Sequence, residues 1–344
     1  MSRNAYIRQS VLVSAVLMAA LFLGPMAVIR PFPERVTAPP RQEQEPAGTA
    51  APAPAPEESR DADVILTVLM DGKPEQMELG DYLVGVLRAE MPAAFHPEAL
   101  KAQAAAARTY TLHKMLSGSR HADADICTDA ACCQAYRDEA AAREEWGEQA
   151  EGYEQKVRQA VAATDGQAVL YGGVPILAVF HAASAGMTRS AGTVWQSELP
   201  YLQAVSSPEP TASIPDYYSR AAFTAAEFRA AVRPTCPEAR LTGDVGTWLT
   251  GAVTDDAGSV VTVQVGGVTV KGSTLRAALG LRSACFEWEV EDGALVFYVT
   301  GYGHGVGLSQ YGADRMAREG ADWREILTHY YSGVTIGTFS GAGG

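Results

Sequence analysis

The sequence predicts an α+β fold, an irregular mixed α/β ectodomain preceded by an N-terminal transmembrane helix. Helix-like and strand-like segments mix after residue 62 without the regular βαβ alternation of a doubly wound sheet. An uncharged run precedes them, and a Pro- and Ala-rich tract separates the two regions. The predicted organisation is a cytoplasmic stub (1–9), a transmembrane anchor (10–29), a linker (30–62), an ectodomain (63–337) and a tail (338–344).

The uncharged run at 10–29 has the length of a membrane span. Twenty helical residues at about 1.5 Å each cross a hydrocarbon core of about 30 Å. A cleaved signal peptide is the alternative, but its apolar region would be shorter, and Ala27-Val28-Ile29 is a poor cleavage site. We therefore expect a single-pass protein of the cell membrane with its C-terminal ectodomain outside the cytoplasm. The linker is expected to be a semi-extended spacer, although a tail without function has the same composition.

Charge narrows the class of partner. The net charge of −13 argues against a nucleic-acid partner, because such proteins need a basic face to displace counterions from phosphates. The 344 residues are enough for a sizeable core, and the 47% of hydrophobic and 19% of charged residues are the balance of a folded protein with one apolar segment. A neutral or mixed-charge polymer remains open as a substrate.

The ectodomain divides into helices and strands by its hydrophobic periodicity. Apolar residues at helical spacing predict a helix over 79–90, which Met91-Pro92 ends because a residue before proline avoids the α region. An Ala-rich helix follows from Pro97. The remaining predicted elements are a strand at 63–70, a charged solvated helix at 137–163, strands at 167–171 and 174–184, a helix at 223–232, a hairpin at 259–272, a short helix at 274–280, a strand at 294–300 and two helices within 308–331.

Glu90 has the local setting of a general acid. It ends a helix, where the backbone dipole disfavours a carboxylate, and an apolar proline-bounded loop follows it. Both features raise a carboxyl pKa, as acid catalysis near neutral pH requires. An exposed glutamate at a helix end is the alternative.

Six segments in order carry a family resemblance. They are YLVGVLRAEMPAAFHPEALKAQAAAARTY, ICTDAACCQAY, AVFHAASAGMT, VWQSELPYLQAVSSPE, GYGHGVGLSQYGADRMAREG and ILTHYYSGV. Together they resemble the stage II sporulation protein D family, also called the SpoIID/LytB domain, across the whole predicted ectodomain. The resemblance implies a peptidoglycan lytic transglycosylase that cleaves between N-acetylmuramic acid and N-acetylglucosamine, on glycan stripped of peptide by an amidase, during engulfment of a developing spore.

The same resemblance assigns the catalytic role to Glu90, in the AEMP motif. One carboxyl group would protonate the glycosidic oxygen and then deprotonate the muramyl 6-hydroxyl, which closes a 1,6-anhydro ring without a second carboxylate. It implies no cofactor for catalysis. The implied partners are glycan strands, a cell-wall amidase of the stage II sporulation protein P type and other engulfment membrane proteins. The alternative is a non-catalytic glycan-binding protein that recruits or stimulates an amidase, and a weaker one is a purely structural envelope protein.

Several residues are predicted to bind substrate. Lys101 and Arg108 lie seven residues apart on one helix face, where they could bind acetamido or lactyl groups. The glycine loop is interpreted as a close-approach wall of the cleft, with tight packing as the alternative; a dinucleotide or P-loop role fails for lack of its partner residues. Ser184 beside His181 lacks the context of a hydrolase nucleophile. The predicted set is Lys101, Arg108, Ser184, Tyr201, His304, Ser309, Gln310 and Tyr311.

The cysteines suggest a metal. His121, Cys127, Cys132 and Cys133 fall within thirteen residues, which is the donor set of a tetrahedral structural zinc site. The resemblance adds that some family members hold zinc with a His and two Cys matching His121, Cys127 and Cys133, whereas a His is common where this chain has Cys132. Because the domain is placed outside the cytoplasm, a disulfide within the cluster, or one between the other two cysteines, is the alternative.

Overall fold

The computed structural model describes residues 60–339. They form a mixed α+β fold, which confirms the predicted class for this part of the chain. The predicted transmembrane helix at 10–29 lies outside the described residues. Within 60–339 no helix combines the length and the apolar character that a membrane crossing requires.

The elements follow in chain order. The first group is β1 (Ile65–Met70), β2 (Lys73–Glu78), α1 (Leu79–Glu90), α2 (Pro97–Ser117), β3 (Ile126–Cys127), α3 (Glu139–Trp146), α4 (Ala150–Ala163), β4 (Gln167–Tyr171), β5 (Val174–Pro175), β6 (Phe180–His181) and α5 (Ala191–Trp195). The second group is β7 (Tyr218–Phe223), α6 (Ala225–Val232), β8 (Leu249–Thr254), β9 (Val260–Val265), β10 (Val268–Lys271), α7 (Gly272–Leu279), β11 (Phe286–Glu291) and β12 (Ala294–Thr300). The last group is β13 (Leu308–Ser309), α8 (Gln310–Arg318), α9 (Trp323–Tyr330) and β14 (Thr335–Thr338).

The chain builds two hydrophobic cores. The first contains buried residues from Leu66 to Leu202 and again from Val306 to Tyr331. The second lies between them in sequence, where strands β7–β12 form two antiparallel sheets with helices α6 and α7. Since the chain leaves the first core and returns to it, residues far apart in sequence can line one cleft.

Helix α2 is the centre of the first core. It packs against α1, α4, α8, α9 and β4, and half of its twelve buried residues are alanines, which admit other backbones closely. The His96 side chain accepts a hydrogen bond from the Glu98 N–H, and Pro97 occupies the first turn. Helix α1 ends at Glu90 with Met91 in an extended conformation, as the following proline predicts.

The prediction of one continuous, solvated helix over 137–163 is wrong in two respects. It is broken at Gly147, which has a φ of 55°, so that α3 and α4 are separate helices. Helix α4 is also partly buried, with Val157 and Ala160 in the core. Glu154, one of its charged residues, is 3% exposed and accepts a hydrogen bond of 2.9 Å from Arg88 of α1. Glu154 therefore holds α4 to α1, whereas Glu151 and Arg158 of α4 are exposed.

Two predicted boundaries also change. The strand expected over 174–184 is only the short strands β5 and β6, separated by a buried segment. The folded region begins before the predicted end of the linker at residue 62, because Asp61 is 2% exposed and bonded to Arg108. Strand β13 pairs in parallel with β6 and sets Ser309 beside His181.

Candidate active site and metal centre

Glu90 occupies the half-buried end of α1. Its Oε1 accepts a hydrogen bond of 2.7 Å from the Ala135 backbone N–H. Burial raises the pKa of this carboxyl group, and the bond from Ala135 opposes that shift in part. The segment that contains Ala135 and Tyr136 can approach α1 this closely because residue 85 is a glycine, since a Cβ at that position would lie 2.1 Å from the Tyr136 ring. The structure thus supports the raised pKa that the sequence predicts for Glu90.

Glu90 is shared by two adjoining concavities. The first has a volume of about 380 Å³ and the second about 480 Å³. Aromatic and basic side chains line both, as expected of a site that stacks sugar rings and binds polar substituents. The first includes Trp146, Tyr302, Tyr311, Arg88, Arg137, Arg282 and Gln310. The second includes Tyr110, Lys114, Arg120, Trp195 and His304. The two concavities therefore meet at Glu90.

The glycine loop packs tightly against neighbouring backbone, and its His304 lines the second concavity. Four glycines between 301 and 307 have positive φ, and a Cβ on Gly307 would lie 2.1 Å from the Val179 carbonyl oxygen. The loop carries His304, whose Nδ1 accepts a hydrogen bond from the Val306 N–H. Burial, with Arg276 nearby, lowers the pKa of His304 to about 4. A neutral imidazole beside Trp195, with ring centroids 5.5 Å apart, suits a wall of the cleft better than proton transfer.

Three of the predicted substrate-binding residues line the cleft. His304 lies in the second concavity, and Gln310 and Tyr311 lie in the first. Helix α8 begins at Gln310, with the Ser309 side chain accepting from the Gly312 N–H at its N-cap. The position of both cleft residues therefore depends on this helix start.

Ser184 and Ser309 lie behind the wall. Both hydroxyls donate to the Glu209 Oε1, at 2.7 and 2.6 Å, and neither residue lines the two concavities at Glu90. The prediction that these two serines contact substrate is therefore corrected: their hydroxyl groups hold Glu209 in place behind the glycine loop. Tyr201 is also corrected: it is 8% exposed within the first core, where its hydroxyl accepts from the Leu177 N–H.

Two basic residues of α2, Lys101 and Arg108, do not line the cleft, whereas Lys114 of the same helix lines the second concavity. Arg108 is 0% exposed and is paired with Asp61, with 2.6 Å between its Nη2 and the Oδ2. Lys101 pairs with Glu98 at 2.6 Å, one turn away on the same helix. The predicted substrate role of Arg108 is wrong, because every approach to its guanidinium is filled by protein. Lys101 is likewise not among the residues that line either concavity.

The predicted metal ligands converge. The donor atoms of His121, Cys127, Cys132 and Cys133 lie within 4.8 Å of one another. The Cys132 and Cys133 sulfurs are 3.8 Å apart and lie 3.6 and 3.7 Å from the His121 Nε2. Tetrahedral zinc, with bonds of about 2.0–2.3 Å, separates its donors by about 3.5–3.8 Å. The donors present therefore fit zinc, and we propose that they hold it as a structural ion.

The disulfide alternatives find no support in the described residues, where all five cysteines are free thiols. The cluster takes His121 from the loop before β3, Cys127 from β3 and two cysteines from the turn after it. Strand β3 is anchored by parallel pairing of Cys127 opposite Leu69. Ala135, which donates to Glu90, follows Cys133 by two residues. The segment that carries Cys132 and Cys133 therefore also contacts the Glu90 carboxyl group.

We expect the full-length protein to contain about one zinc ion per chain when measured by elemental mass spectrometry. Cys132→Ser should lower the zinc content and the melting temperature, because a ligand of a closed tetrahedral site is lost. Cys285→Ser, outside the cluster, is the control and should retain the metal. A Cys132→Ser protein with unchanged zinc content and melting temperature would remove Cys132 from the ligand set.

Comparisons with known proteins place this chain among the sporulation proteins. A family model described as Stage II sporulation protein, SpoIID, matches residues 72–171, which include Glu90 and the cysteine cluster. The chain is 38% identical to stage II sporulation protein D of Bacillus subtilis over 266 residues, which cover 76% of this chain and 75% of that protein. The identity to stage II sporulation protein D of Bacillus amyloliquefaciens is also 38%, with the same coverage. The chain therefore belongs to the stage II sporulation protein D family.

A more distant relative has a different name. The amidase enhancer of Bacillus subtilis is 27% identical over 308 residues, which cover 75% of this chain and 40% of that protein.

The family model covers only part of the cleft. It ends at residue 171, whereas Arg282, Tyr302 and Tyr311 of the first concavity lie beyond it. Sequence reasoning also missed Trp146 and Arg282, which carry no motif and reach the cleft only through the tertiary fold.

Proposed function

We propose that this protein is a lytic transglycosylase that cleaves peptidoglycan glycan strands, with Glu90 as its acid and base. The observation that carries the proposal is the half-buried Glu90, with a raised pKa, at the junction of two concavities lined with aromatic and basic side chains. Membership of the stage II sporulation protein D family supports a role at the cell wall during sporulation. A location at the membrane, with the catalytic part outside the cytoplasm, is part of the proposal.

The proposed reaction needs one carboxyl group. Protonated Glu90 gives its proton to the glycosidic oxygen as the bond to the muramyl C1 breaks. The resulting carboxylate takes the proton of the muramyl 6-hydroxyl, whose oxygen bonds to C1 and closes the anhydro ring. The Ala135 N–H stabilises the carboxylate between the two steps. Glu90 is then protonated again, and no water is consumed.

A hydrolase would use the cleft differently. Glu145 is a second carboxylate of the first concavity, but it is 59% exposed and pairs with Arg137. A hydrolytic glycosidase needs its second carboxylate to activate water or to attack the sugar. The exposed ion pair is a poorer base or nucleophile than a free carboxylate, which favours the single-carboxyl reaction.

The test is product analysis in isotopically labelled water. Full-length protein is incubated with peptide-free glycan in H₂¹⁸O, and the products are examined by mass spectrometry. We expect 1,6-anhydro-muramyl ends without ¹⁸O, because the attacking oxygen comes from the sugar. Reducing muramyl ends that carry ¹⁸O would identify a hydrolase and contradict the proposal.

A second candidate function is suggested by the relative named amidase enhancer. In that case the cleft binds glycan and the protein stimulates a cell-wall amidase of the engulfment machinery. Stimulation of amidase by Glu90→Gln protein, together with the absence of any cleavage by the unaltered protein, would favour this function over the first.

A further inference from the structure

Arg282 enters the cleft from the second part of the chain. It lies between α7 and β11 and lines the first concavity together with Glu90. Its guanidinium lies over the Tyr302 ring, 4.0 Å from the centroid, and its Nη2 donates to the Pro215 carbonyl oxygen at 3.1 Å. The side chain is 29% exposed. A cation is thus held in a fixed position at the cleft wall, one face against an aromatic ring.

The charge of Arg282 is the least compensated of the three guanidinium groups in this concavity. Arg88 is bonded to Glu154 and Arg137 to Glu145. The Arg282 Nη1 lies 3.9 Å from Asp216, beyond hydrogen-bonding distance, and Asp216 is 76% exposed. Such an exposed pair contributes little.

Hydrogen-bonding capacity is also left unused. The Arg282 Nε is buried and has no partner within the described part of the chain. A guanidinium offers five N–H donors in a planar fork that matches a carboxylate, and only Nη2 has a hydrogen-bond partner among the described residues. The concavity therefore presents a partly exposed guanidinium whose charge no hydrogen-bonded carboxylate neutralises, near the acid that would perform catalysis.

We propose that Arg282 is a specificity-determining residue that binds a carboxylate of the glycan, namely the lactyl group of a muramyl residue close to Glu90. The proposal rests on the proposed function, since it assumes that glycan occupies the cleft. A chain of net charge −13 repels an anionic polymer unless a local cation attracts it. On peptide-bearing strands the lactyl carboxylate is an amide without charge. Arg282 therefore favours strands from which the peptides have been removed.

The test compares two glycans that differ only in this charge. One is peptide-free glycan with free lactyl carboxylates, and the other is the same glycan after conversion of those carboxylates to methylamides. Dissociation constants are measured by calorimetry in full-length Glu90→Gln protein, so that no substrate is consumed. Arg282→Gln and Arg282→Lys are introduced into that background. Arg315→Gln removes an exposed arginine of α8 that pairs with Glu319 and serves as the matched control.

We expect Arg282→Gln to weaken binding of the carboxylate glycan by about tenfold, which corresponds to about 1.4 kcal/mol, and to leave binding of the methylamide glycan within about twofold. Arg282→Lys should retain part of the preference, because the charge remains and the bidentate fork is lost. The Arg315→Gln control should retain the whole preference for the carboxylate glycan over the methylamide glycan. Equal losses on both glycans would show that Arg282 only supports packing, and no loss on either would also overturn the proposal.

The result is independent of the cleavage assay. If the unaltered protein yields no anhydro ends, the proposed function fails, while the binding ratio still decides the role of Arg282. If cleavage occurs and the ratio is the same in Arg282→Gln and its parent, only the inference about Arg282 is wrong.

Discussion

Replacing Glu90 by Gln is expected to lower the rate of anhydro-muramyl formation by about 10²–10⁴-fold, the usual contribution of general acid–base catalysis. The amide can still accept the hydrogen bond from the Ala135 N–H, so that the fold and the affinity for glycan should remain. It has no proton to give to the glycosidic oxygen. The measurement is kcat on peptide-free glycan, with the dissociation constant as a second readout.

Glu145→Gln is the matched control, since it changes the other carboxylate of the same concavity. We expect kcat to stay within a few-fold, because the single-carboxyl reaction assigns it no step. A loss in Glu145→Gln as large as in Glu90→Gln would instead indicate a two-carboxylate mechanism.

The pH dependence follows from the raised pKa of Glu90. Folding favours its protonated form, so its ionisation destabilises the folded state at pH values above the raised pKa, and this penalty disappears below the ordinary pKa of a glutamate. Glu90→Gln should therefore raise the melting temperature near neutral pH and change it little in acid. A fall in melting temperature at neutral pH would contradict the raised pKa.

The sequence predicted the parts of the site that local pattern determines. Helix α1 and its end at Glu90 follow from apolar spacing and a proline. The cysteine cluster follows from four donors within thirteen residues. The order of the family motifs assigned the catalytic role to Glu90, which helix position alone left open against an exposed carboxylate.

The opposite wall of the cleft was not predictable in the same way. Arg282 and Trp146 have no motif, and they line the same concavity as Glu90 only because the chain builds a second core and then returns. The prediction that Arg108 binds substrate was wrong because the sequence did not reveal its buried partner. Its position on a helix face was right, but its partner Asp61 lies 47 residues earlier, in a tract whose composition indicates a linker.

Asp61→Ala is expected to lower the free energy of unfolding by about 3–5 kcal/mol, the usual cost of removing one partner from a buried ion pair. Arg108 is 0% exposed on its side chain and Asp61 3%, so the remaining guanidinium would be left without its counterion in a dry environment. For a folded region of this size the melting temperature should fall by about 5–9 °C. Thermal unfolding measures the change directly.

The control is Asp81→Ala, because Asp81 is 68% exposed and its pair with Arg158 spans 4.0 Å. Its effect should stay within about 0.5 kcal/mol. Replacing both partners, in Asp61→Leu with Arg108→Met, should recover much of the loss, since it removes the buried charge instead of isolating it. An Asp61→Ala protein that melts like the unaltered one would show that the pair contributes no stability.

The same variants separate the two roles considered for Arg108. A substrate contact would raise KM and leave the melting temperature unchanged when Arg108 is replaced. A buried counterion to Asp61 would lower the melting temperature and leave the KM of the folded fraction unchanged. We expect the second pattern, because the guanidinium is enclosed by Asp61, Thr164 and the Val161 carbonyl group, with no face toward the cleft. The pair thus fixes the start of the folded chain to the central helix α2, at a distance from the chemistry.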